Sequence, residues 1–160
     1  MRTSVLLALL TAGFAFGAAA HAQQPDPAMH NHMAGMTADT RELVAFPPPM
    51  RAHTLANMRD HLLTLSEIQA ALAVGNYENA SELAEQRLGM SSLKLHGAHE
   101  LSEFMPKGMQ DLGTAMHRSA SEFALKAQAA SATGDLQPAL RALSRVTQSC
   151  VACHAAYRLQ

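Results

Sequence analysis

The sequence predicts an all-α fold, an antiparallel up-down-up-down four-helix bundle, on three observations. Four segments within residues 50–160 carry apolar residues at helical spacing, so each has one face to bury. Short breaks marked by Gly or Pro separate them. No stretch sustains the strict apolar and polar alternation of a strand. Helices with single apolar faces and short connections pack most simply as neighbours running in opposite directions.

The first segment, 1–22, reads as a secretory signal: Arg2 gives the positive start, Val5 to Phe16 the apolar stretch, and Ala20-His21-Ala22 a small-x-small cleavage site. The apolar stretch is too short to span a membrane. No Cys stands near the cleavage site, which argues against a lipid anchor. The formal net charge of the chain is −1, and with no basic stripe and only 4% aromatic residues a nucleic-acid partner is not expected.

Residues 23–49 are rich in Pro, Met, His and small polar side chains, have no apolar period, and end in Pro47-Pro48-Pro49. They read as a flexible or extended leader. Inside it, Met29-His30-Asn31-His32-Met33-Ala34-Gly35-Met36 gathers soft thioether and imidazole ligands, and His30, His32, Met33 and Met36 could hold copper weakly. A flexible tail of that composition needs no metal, so both readings stand.

The bundle domain is placed at 50–160. Leu55, Met58, Leu62, Leu65, Ile68 and Leu72 recur at three and four residues, a helix that Gly75-Asn76 stops. Asn76 can cap a second helix with the stripe Tyr77, Ala80, Leu83, Ala84 and Leu88, favoured by Glu78 in its first turn. Periodicity fades from Gly89 to Gly97. Pro106 suits the opening of a third helix, with Met109, Leu112, Met116, Ala120, Phe123 and Ala127 on its inner face. Thr133-Gly134 breaks it and Asp135 can cap a fourth, where Leu136, Leu140, Leu143, Val146, Cys150, Cys153 and Tyr157 face inward.

The last turns of that fourth helix carry the most specific motif, Cys150-Val151-Ala152-Cys153-His154. C-x-x-C-H is the attachment pattern of c-type haem: two thiols for the vinyl groups and an imidazole for the iron. On a helix, Cys150, Cys153 and His154 share one face, as a single flat cofactor requires. A thioredoxin-like redox pair would need a βαβ surround, and a zinc site a second ligand pair. A disulfide between residues three apart would close a loop too small to stabilise much. The pattern therefore predicts one covalent haem c near the C-terminal helix, with His154 as the proximal iron ligand. Arg158, at i+4 from His154 on a continued helix, could pair with a propionate, or could simply complement the helix terminus. His96 and His99 are too few for a zinc site, and Met105, Met109, Met116 and His117 read as core of the third helix.

Four amphipathic segments that end in Cys150-x-x-Cys153-His154-Ala-Ala-Tyr157-Arg158 resemble the class II c-type cytochromes, the cytochrome c′ family and its low-spin relatives. Met105-Pro106 before the third helix, and Gly75-Asn76 and Gly134-Asp135 before the second and fourth, are similar to that family as well. The resemblance covers about residues 50–160. It implies a four-helix bundle with covalent haem near one end, often as a homodimer through the first two helices. It also implies that the residue facing the iron from the other side comes from early in the first helix, where Met58 stands. A Met there belongs to the low-spin members and a bulky aliphatic residue to the high-spin ones. His61, one turn further along the same stripe, is the rival, and an iron with no sixth ligand is the third possibility.

The function expected is a soluble periplasmic carrier of single electrons, not an enzyme, whose redox partner the sequence does not name. The alternative is a five-coordinate haem protein that binds nitric oxide or carbon monoxide. A third reading links the Met/His leader to copper.

Overall fold

The computed structural model describes residues 38–160. The expected signal segment and the His30, His32, Met33 and Met36 cluster lie outside the described residues. What is described is mostly helical, in the order β1 (Glu42–Val44), α1 (Pro48–Ala73), α2 (Tyr77–Arg87), a 3-10 turn (Met90–Ser92), α3 (Ala98–Ser102), α4 (Lys107–Thr133), α5 (Gln137–Ala156) and β2 (Tyr157–Leu159). No helix among the described residues is long and apolar enough to cross a membrane.

The punctuation acts as its chemistry dictates. Pro47, at φ −53° and ψ 145°, turns the chain into α1, whose first positions are prolines that have no amide proton to leave unpaired. Gly75, at φ +74°, ends it, and the Asn76 side chain accepts from the Asn79 amide at 3.2 Å to open α2. Gly134 repeats the left-handed step after α4, and Asp135 Oδ1 accepts from the Gln137 amide at 3.0 Å.

Helix α4 packs on both α2 and α5, and α1 packs on α2. Their shared core joins Ile68 and Leu72 of α1, Ala80 and Ala84 of α2, Phe123 and Ala127 of α4, and Ala142 and Val146 of α5. Alanine where helices face one another lets their backbones come close, while Phe123 fills the space between. An ion pair also ties α1 to α2, with Arg87 donating to both Asp60 and Glu67.

Four expectations need correction. First, the described residues contain strands: β1 and β2 pair in parallel, with Glu42 opposite Tyr157, Leu43 opposite Arg158 and Val44 opposite Leu159. Three-residue strands are too short to leave an alternation in the sequence. Second, the leader does not run to residue 49. Val44 and Phe46, the latter 2% exposed, form a small second core with Leu101, packed against by Met50, Met105, Met109, Tyr157 and Leu159, and α1 already begins at Pro48.

Third, the stripe on α1 holds at Ile68, Leu72 and the partly buried Leu65, but Leu62 does not belong to it and polar residues complete the buried face. Leu62 is 66% exposed, whereas Thr54, His61, Thr64, Ile68, Ala71 and Leu72 are buried. Hydroxyls make this possible by bonding back to the helix: Thr54 Oγ1 donates to the Met50 carbonyl at 2.9 Å and Thr64 Oγ1 to that of Asp60 at 2.8 Å. In α5, similarly, Leu140 is 48% exposed while Ala139 and Ala142 face inward. Fourth, α5 ends at Ala156. Tyr157 is extended, at φ −126° and ψ 151°, because the last residues pair with β1 and their side chains join the second core. Arg158 is therefore not one helical turn beyond His154.

Candidate functional site

A cavity of about 580 Å³ opens between the first half of α1, the segment from Leu93 to Met105, the first half of α4 and the end of α5 with β2. It falls in the range typical of small-molecule and cofactor sites. Met58 and His61 line it from α1, Met109, Gly113 and His117 from α4, and Cys153, His154, Tyr157 and Arg158 from the C-terminal end. Arg41 reaches its wall from just before β1, which pairs with β2, and Arg51 from the first turn of α1.

The structure brings most of the sequence-predicted residues to this one space. Cys153 and His154 line the cavity; Cys153 is half-buried and His154 exposed. Cys150 is half-buried but does not line the cavity, packing instead against the main core. Both thiols are free, and burial pushes both upward from the ordinary thiol value, so they are protonated at neutral pH. Met58 is half-buried at the cavity wall, and His61, the rival, is buried there. His99 is exposed and takes no part.

The polar rim is cationic. Arg41 donates to the His154 carbonyl at 3.3 Å and pairs with Asp39 at 2.7 Å; this guanidinium holds the Asp39 carboxyl down at about 2. Arg51 Nε donates to the Gln160 carbonyl. Arg158 Nε lies 3.4 Å from Asp39 Oδ2 but makes no hydrogen bond, although the atom is buried. No Asp or Glu lines the cavity.

Three imidazoles meet at the inner wall. His61 from α1, His96 from the connecting segment and His117 from α4 have ring centres 4.6, 5.4 and 5.9 Å apart, and His61 Nε2 stands 3.5 Å from His96 Nδ1. The His117 Nδ1 proton is donated to the Leu88 carbonyl at 2.7 Å. His96 is anchored through its backbone, where its carbonyl accepts from Asn57 Nδ2 and from His53 Nε2, each at 3.0 Å. Burial pushes all three imidazoles down from their ordinary value. His61 falls to about 4, with His96 and His117 adding to the burial effect and Asp60 opposing it.

No family model, curated protein or solved structure matches this chain. The site must therefore be read from its own chemistry. A porphyrin with two propionates is flat, mostly apolar and dianionic, and the cavity suits such a group on three counts. Its wall holds three guanidiniums and no carboxylate, so the anionic edge has partners. The buried Arg158 Nε, near Asp39 but without a hydrogen bond, could donate to it. A Cβ added at Gly113 would meet nothing within 4 Å, so this stretch of wall is left open. Sequence reading missed Arg41 and Arg51, which reach the cavity only through strand pairing and the N-terminal turn of α1. It also missed the imidazole trio, whose members are too far apart in the chain to share a motif.

Proposed function

We propose that this chain is a c-type cytochrome of the class II kind: an antiparallel four-helix bundle of α1, α2, α4 and α5 that carries single electrons through one covalent haem in the periplasm. The observation that carries the reading is the convergence of Cys153 and His154 with three arginines on a carboxylate-free cavity. When bound, the haem supplies the Fe(III)/Fe(II) couple. The protein's own residues do the rest. Cys150 and Cys153 would hold the haem through thioether links to its vinyl groups, Cys153 from the cavity wall. His154 would hold the iron through a ring nitrogen, and Arg41, Arg51 and Arg158 would pair with the propionates. The mostly apolar lining would tune the potential of the bound group.

Met58 would supply the sixth ligand in this reading. It lines the cavity, whereas His61, its rival, is already packed edge-on against His96 and His117. The alternative, an open iron that binds nitric oxide or carbon monoxide, rests on the large cavity beside Met58. The exposed Leu62 and Leu63 on α1 offer a second copy of the chain a surface for the expected homodimer.

The test is optical. Haem should stay with the denatured chain in acid and organic solvent, and haem that extracts freely would refute covalent attachment. The ferric protein should be low-spin and take up carbon monoxide slowly, and Met58→Ala should make it high-spin with rapid uptake. A wild-type protein that is already high-spin moves gas binding to first place.

A further inference from the structure

The imidazole trio is unexplained by the electron-carrier reading. Three His side chains from separate elements are buried together, and none has an acidic residue hydrogen-bonded to its ring. A buried ring nitrogen without a partner is costly, and His96, only 5% exposed, keeps a buried Nε2 with no hydrogen bond. His117 is arranged in the opposite sense. Its Nδ1 proton is committed to the Leu88 carbonyl, which leaves the Nε2 lone pair free. That is the outer contact by which a metal-binding His is normally oriented.

We propose that His61, His96 and His117 bind a late first-row transition-metal ion of the zinc or copper kind, at a site formed without His154. Spacing supports the assignment. A point about 3.1 Å from all three ring centres exists between them, and a nitrogen about 2.0–2.1 Å from zinc puts its ring centre roughly 3.2 Å from the ion. His61 Nε2 and His96 Nδ1 are in hydrogen-bond contact at 3.5 Å, so these two rings already face each other. As the rings are now turned, no group of three donors among the described residues converges on a point, so binding requires ring rotation. Rotation is the ordinary side-chain adjustment on binding. The ligand set is chemically consistent: imidazole suits zinc and copper, three of them with an open position make a known zinc arrangement, and neutral rings need shed no proton at pH 7. Ser92 Oγ, 3.3 Å from His96 Nδ1 and 3.4 Å from His117 Nδ1, stands beside the trio.

The experiment uses the full-length, haem-loaded protein, reduced and stripped with chelator, with zinc alone as the probe. Equilibrium dialysis should give one tightly held zinc per chain. His96→Gln and His117→Gln should each weaken it by at least about tenfold, as loss of a ligand or of its support does. A His30→Ala/His32→Ala double variant should keep it. Zinc lost from that double variant but retained by His117→Gln would assign binding to the leader and overturn the proposal. A readout that needs no variant guards against misfolding: in the ¹⁵N-labelled wild type, one equivalent of zinc should shift the ring nitrogens of His61, His96 and His117. Shifts confined to other histidines, or none, would overturn it. So would loss of the wild-type iron spectrum in His61→Gln, which would make that imidazole an iron ligand. The proposal stands or falls independently of how the haem is attached.

Discussion

The two ends of the helical unit are built on opposite principles. At one, where α2, α4 and α5 meet the second half of α1, the core is Ala, Leu, Ile, Val, one Met and one Phe. At the other, the first half of α1 turns Thr54, His61 and Met58 toward a cavity closed by a two-stranded strap and rimmed with arginine. The first end supplies stability, and the second forgoes close packing to hold chemistry. That division predicts which changes unfold the chain and which only empty it.

The largest effect should come from the packed end. Phe123→Ala removes a fully buried ring at the meeting point of the helices and should cost about 3–5 kcal/mol, measured by denaturant unfolding. A loss under about 1 kcal/mol would mean that this end does not carry the stability. Acid should act next, and at the cavity end. His61 falls from 6.5 to about 4 on folding, so the unfolded chain takes up the proton first as pH drops. The stabilisation is full above about pH 6.5 and is lost progressively down to about pH 4. For His61 alone it amounts to about 3 kcal/mol, and His96 and His117 work in the same direction. Asp39 and Glu85, lowered from 3.8 and 4.5, act at more acid pH. Melting temperatures that stay flat between pH 6.5 and 4 would show that the trio is not buried as described.

A smaller effect tests the helix junction. Asn76→Ala removes the cap of α2 and should cost about 1 kcal/mol, visible as a small shift in the urea midpoint with unchanged haem. The smallest effect on stability sharpens the comparison most. Gly113→Leu puts a side chain into the open cavity wall while improving helix propensity by about 0.8 kcal/mol. The chain should fold at least as well and carry far less haem, read as the ratio of Soret to protein absorbance. Full haem content in that variant would place the cofactor elsewhere.

The packed end was readable from sequence because its forces are local and periodic. The stripe of α4 from Met116 to Ala127, the Asn76 cap and the Gly75 and Gly134 stops are all where spacing puts them. The cavity end was only partly legible. Cys153 and His154 declared themselves as a motif, but the inward face of α1 carries Thr and His where hydropathy sought Leu62. Polar side chains satisfied by nearby carbonyls do not register as core. Arg41 and Arg51 escaped notice because their place depends on contacts with residues 154 and 160, more than a hundred positions away, which no window of residues contains.

That pairing has a consequence for the order of assembly. The contact of Arg41 with the His154 carbonyl closes a loop of 113 residues, and the β1–β2 ladder beside it shuts nearly the whole unit into a ring. Closure entropy grows with loop length and is offset here by only a few strand bonds, so the ring closes after the helices have condensed. Until it does, the Cys150 to His154 turn is not held by the strand pairing. The strand strap thus acts as a late-fastening clasp: the Cys150 to His154 turn is fixed against the start of the unit only once the helices have packed.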